Sequence, residues 1–125
     1  NDERIRNFEM ATIVKQHLSE SGDGDPIAVG TSSAAVHQTQ AADGDNNHDE
    51  IWLWATNEEA AARVLTIGWG DATSAAGHKI IVTIPPQQGL MQIVPGLVLQ
   101  NGHDVFASAS ATGVNLLGFV NKMTA

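Results

Sequence analysis

The sequence predicts an all-β protein, an antiparallel β-sandwich in one domain, and three observations carry that prediction. The first is the block IWLWATN at 51–57, with Ile51, Leu53 and Ala55 on one face of an extended strand and Trp52, Trp54 and Thr56 on the other. Both faces carry apolar bulk, so this is a central strand with one face in a core and the other against a second layer or a partner subunit. The second is that turn residues recur about every ten positions downstream of it. The third is a total of roughly six to nine short alternating or β-branched stretches, the signature of a sandwich or barrel.

Taken in order, residues 1–8 read as a charged arm. Residues 9–18, EMATIVKQHL, fit either a strand or a helix, and Thr12, Ile13 and Val14 favour the strand. The domain plan is therefore an N-terminal arm or first strand over 1–18 and a single sandwich domain over 19–125. Within it, 19–50 is an acidic, irregular segment: Glu20, Asp23, Asp25, Asp43, Asp45, Asp49 and Glu50 occur there without a Lys or Arg. Loops are expected at 19–26 and 42–50, with short strands at 27–29 and 33–40, the latter placing Val36 and His37 on opposite faces.

From Ile51 onward the pattern is regular. A turn is expected through Glu58, Glu59 and Ala60, whose small and acidic residues suit one helical turn, then a strand at 63–70 in which Gly68 beside Trp69 marks a bulge or a ring lying over bare backbone. Residues 78–84, HKIIVTI, form the clearest strand, stopped by Pro85 and Pro86. Strands at 90–94 and 97–99 are separated by Pro95-Gly96, as in a segment that changes sheet or runs along an edge. Asn101-Gly102 is a strong hairpin signal, because a type I′ turn needs positive φ at both central positions. The strand at 104–112 has a small face of Val105, Ala107 and Ala109 that admits a bulky neighbour, with Trp52, Trp54 or Trp69 as candidates. The last strand, 114–123, is apolar on both faces in its middle and is expected inside its sheet or at an interface.

Charge and composition exclude several functions. A net charge of -8 with six Lys and Arg disfavours nucleic-acid binding. Cysteine is absent, so thiolate chemistry and disulfides are excluded. No apolar run approaches the length of a transmembrane helix, and a soluble chain without membrane contact is expected. Asp43, Asp45, Asn47 and Asp49 have the opening spacing of a calcium loop. His48 stands where that loop needs Gly and Trp54 where it needs Glu, so a solvated loop is the better reading and no metal or cofactor is expected. The histidines at 17, 37, 48, 78 and 103 make no ligand pair. No G-x-S-x-G elbow is present, and Asp49, Glu50, Glu58 and Glu59 read as wetted strand ends rather than paired catalytic acids, so no enzymatic activity is expected. Exposed Trp pairs can form sugar platforms, but a chain with three Phe and no Tyr also needs Trp as filler. Trp52, Trp54, Trp69, Phe106 and Phe119 are therefore the expected core or interface anchors.

Several features of the chain from about 50 to 123 resemble the small β-sandwich structural proteins of tailed bacteriophage particles. They are the strand at 51–57 followed by that at 63–69, the run IIVTIPP at 80–86, and the stretch LMQIVPGLVLQNGHDVFASASATGVNLLGFV at 90–120. The resemblance implies a jelly-roll-like sandwich with an extended N-terminal arm, of the capsid decoration or cement type. Such a protein is a homotrimer on the virion surface that stabilises the shell by gripping several copies of the major capsid protein. Ile5, Phe8 and Ile13 are then candidate arm contacts. The alternatives are a tail, head-completion or fibre-associated subunit, or a carbohydrate-binding module.

Overall fold

Alternation along the chain decides the architecture. A computed structural model describes residues 12–41 and 47–124. Among them nine β-strands and no helix form two antiparallel sheets packed face to face. Strand β4 (His48–Asn57) buries every second side chain, so Ile51, Leu53 and Ala55 are wholly enclosed while their neighbours face outward. It lies inside the first sheet, between β9 (Val114–Thr124) and β7 (Met91–Leu99). On its other side β9 pairs with β1 (Thr12–His17) and β2 (Ile27–Ala28). Both strands expected to be interior are interior.

The second sheet has the order β3-β8-β5-β6, with β3 at Ala34–Gln38, β5 at Arg63–Trp69, β6 at Lys79–Ile84 and β8 at Asp104–Ala109. Leu65, Ile67, Val105, Ala107 and Ala109 face the first sheet and meet Ile51, Leu53, Val94, Leu116 and Val120 in one core. Each fully buried Val, Leu or Ile there contributes about 1.5–3 kcal/mol. The antiparallel pairs β1/β9, β3/β8, β4/β7 and β5/β6 are nested, as in one long hairpin folded across two layers.

Several local expectations change. The 1–18 arm is a sheet strand over 12–17, whereas Ile5 and Phe8 lie outside the described residues. The acidic segment 19–50 is not irregular throughout: it supplies β2, β3 and the first three residues of β4, with Val29 and Val36 in the core. Residues 58–62 bend without a helical turn. Pro95-Gly96 does not split β7. The register shifts there by a bulge, and an edge strand can lose one N–H donor at no cost to a neighbour.

Asn101 and Gly102 do adopt φ of 63° and 73°, but no hairpin results. The strands they join belong to different sheets, and the turn is bonded instead to the end of β3 through Gly102 N–H to Gln40 O and Thr39 N–H to His103 O. At Gly68 the nearest neighbour is backbone rather than a ring. The backbone of Asp71 and Ala72 folds across it, and a Cβ there would lie 2.1 Å from Asp71 O. Trp52 and Trp54 do not approach the small face of β8, since they leave β4 on the side away from the core; Trp69, opposite Val105, does pack against that core.

Candidate interaction face and buried polar site

An outward-facing aromatic cluster follows directly from the registers of β4 and β9. Trp52 lies opposite Phe119 and Trp54 opposite Leu117, all on the outer side of the first sheet. The ring centroids are 6.3 Å apart for Trp52–Trp54, 6.0 Å for Trp52–Phe119 and 5.9 Å for Trp54–Phe119, with planes within 26° of parallel. Three mutual contacts make a cluster rather than a column, and the rings remain only partly exposed. Its rim is polar. Trp52 Nε1–H and the Asn121 side-chain amide both donate to Glu50 Oε1, at 2.7 and 2.9 Å. Those bonds hold the Glu50 carboxyl below its ordinary range. Lys15 from β1 sits 4.7 Å from the Phe119 centroid, a cation–π contact.

Gly96 completes the setting. It has φ of 79°, and a Cβ on it would meet the Trp52 ring at 2.7 Å. The bulge in β7 thus clears the space in which that ring lies. Of the other predicted anchors, Phe106 is half-buried on the outer side of the second sheet opposite Gly68. Trp69 lines a cavity of about 380 Å³ with His78, Leu99 and His103, at the end where β6 begins and β7 finishes. Ile13, on β1, is 65% exposed.

The second candidate was not visible in the sequence. A bulge between Ala35 and His37 inserts one extra residue into β3, so Val36 and His37 both turn inward. His37 then reaches across the sandwich to Asp49 on β4, Nε2 to Oδ2 at 2.7 Å, with both side chains almost fully buried. The Ser19 backbone N–H donates to His37 Nδ1 at 3.0 Å, which leaves the ring proton on Nε2, donated to Asp49. Gln40 donates to Asp49 Oδ1 at 3.0 Å and also approaches the carbonyls of His48 and Met123. Burial pushes the Asp49 carboxyl up, but the hydrogen bonds from His37 and Gln40, with the charge of Lys122, outweigh it and hold it below its ordinary range.

This site sits below a cavity of about 410 Å³ whose rim includes Gln16, His17, Ser19 and Lys122. Acid–base catalysis would need a free ring nitrogen on His37, and both are engaged within the fold. The arrangement ties together β3, β4 and the turn at Ser19. It also withdraws Asp49 from the calcium-type spacing, whose Asp43 and Asp45 lie outside the described residues. Among the described residues no three His, Asp or Glu side chains are grouped to hold a metal ion. Comparison with protein-family models, curated proteins and solved structures finds no match for the chain.

Proposed function

We propose that the protein is a non-enzymatic structural subunit of a phage particle, a decoration protein that docks on the capsid surface through the outer face of its first sheet. The carrying observation is the Trp52–Trp54–Phe119 cluster, which lies outside the core that holds the subunit together. Partly exposed indoles framed by a polar rim are the composition of a binding hot spot. The nested strand pairing supports a jelly-roll reading, an architecture that serves both viral capsids and lectins. Bridging several copies of the major capsid protein makes affinity depend on assembled geometry, so the intact shell is the target rather than a free subunit. Purified protein added to shells stripped of it should co-sediment with them, and Trp54→Ala should lose that binding while the subunit stays folded. Equal binding to unassembled capsid protein, or full binding by the variant, would defeat the proposal.

A second reading rests on the same rings. Near-parallel aromatic faces beside the Glu50–Asn121 pair offer stacking and hydrogen bonding to a sugar. A saturable change in tryptophan fluorescence on glycan titration, lost in Trp54→Ala, would favour it over capsid docking.

A further inference from the structure

Four strand edges are open among the described residues, and they are not alike. The edge at β7 carries Pro95 and two register shifts, and β3 carries the bulge at 35–37, both devices that discourage further pairing. The β1 edge is unbroken, but Lys15 places a charge in the middle of its strand, which also discourages further pairing. β6, KIIVTI, has neither proline, bulge nor acid, its one charge, Lys79, stands at the strand's first position, and it ends the second sheet with its far side unpaired.

Charge marks the same region. The chain carries a net charge of -8, yet from Ala72 to His103 Lys79 is its only charged side chain when histidine is neutral. The stretch includes Ile81, 60% exposed, and the exposed Leu90, Leu97 and Val98, with Val64 exposed on the neighbouring strand. Charge depletion with exposed aliphatic bulk is what the centre of a protein interface shows.

Register then selects the occupant. Trp69 N–H donates to His78 O, so the hydrogen-bonded positions of the β5–β6 ladder are His78, Ile80, Val82 and Ile84. The backbone groups of Lys79, Ile81 and Thr83 therefore point away from β5, toward open space. An antiparallel copy of the same strand, related by a two-fold axis through Ile81, sets Ile81 opposite Ile81 and Lys79 opposite Thr83. That register engages all three outward residues in about six backbone hydrogen bonds. It puts aliphatic against aliphatic on both faces and keeps the two lysines apart. Sliding the strands by two residues in either direction loses one set of bonds.

We infer that β6 is a homodimerisation edge, pairing with β6 of a second copy to join two four-stranded sheets into one of eight strands. The contact is isologous, as a two-fold requires. It uses a surface separate from the aromatic face, so it stands whether or not that face binds a capsid. It assigns a dimer where the bacteriophage resemblance implies a trimer.

Sedimentation velocity on the full chain should show a dimer at micromolar concentration. Ile81→Lys and Ile81→Glu each place like charges on the axis and should weaken association roughly tenfold or more while the subunit stays folded. Mixing the two variants should restore dimers. Because the chain has no cysteine, Ile81→Cys adds its only thiol; across a hydrogen-bonded pair the Cα atoms are about 5.5 Å apart, within disulfide reach. Oxidation should therefore yield a covalent dimer from Ile81→Cys and not from Ile13→Cys on the β1 edge. A monomeric or trimeric wild type, charge variants that remain dimeric, a mixture that stays monomeric, or no cross-link at position 81 would each overturn the assignment. The cysteine variant decides the matter should the charged ones fail to fold.

Discussion

At the scale of single residues, one inserted position in β3 creates a buried polar site that joins the two sheets. The bulge turns His37 toward Asp49, and each then depends on the other because both side chains are almost fully buried. Replacing His37 with Ala leaves a buried carboxylate short of a donor and should cost about 3 kcal/mol in urea unfolding. The acid limb tests the other partner. Asp49 is depressed below its ordinary value of 3.8, so between that value and its folded value the unfolded chain binds the proton more readily and stability rises with pH. Its contribution is complete above 3.8 and fades as pH falls through the folded value. Asp49→Asn should flatten that part of the stability profile, measured as the urea midpoint from neutral to strongly acidic pH. An unchanged slope would mean that Asp49 is not the group responsible.

At the scale of elements, β4 shows how one strand serves two purposes. Leu53 and Trp54 are adjacent, yet Leu53 is sealed in the core and Trp54 stands outside it. Leu53→Ala should cost about 2–5 kcal/mol. Trp54→Ala should cost less, about 1–2 kcal/mol, because the indole lies outside the core and keeps part of its surface in water. The two values come from one calorimetric comparison, and equality would place the indole in the core. In β7, Gly96 is constrained twice, by its positive φ and by the Trp52 ring. Gly96→Ala should destabilise the protein, and in a Trp52→Leu background the penalty should shrink by roughly 1 kcal/mol, a coupling that a double-mutant cycle reads directly.

At the scale of the whole molecule, nesting ties the two ends of the described chain together, since β1 pairs with β9 and β3 with β8. Such long-range pairings are slow to form, and refolding on the millisecond-to-second scale is expected in stopped-flow fluorescence. Microsecond refolding would contradict this topology. The same nesting explains the Asn101-Gly102 turn. Local chemistry supplies the sharp reversal, but β7 is already claimed by β4 and β8 by β3 and β5, so the turn passes the chain between layers.

Strand positions, the interior status of β4 and β9, and the two-sidedness of the 51–57 block follow from alternation alone, because a period of two is a local property that needs no partner to be read. Sheet membership, the bulges at His37 and Pro95 and the meeting of His37 with Asp49 do not, since each depends on which distant strand lies alongside. The acidic stretch shows the difference plainly. Its composition suggests a solvated loop, yet Val29, Val36 and His37 in it complete the core. Tertiary structure alone decided that, because a bulge changes which way a side chain points without leaving a mark in the sequence.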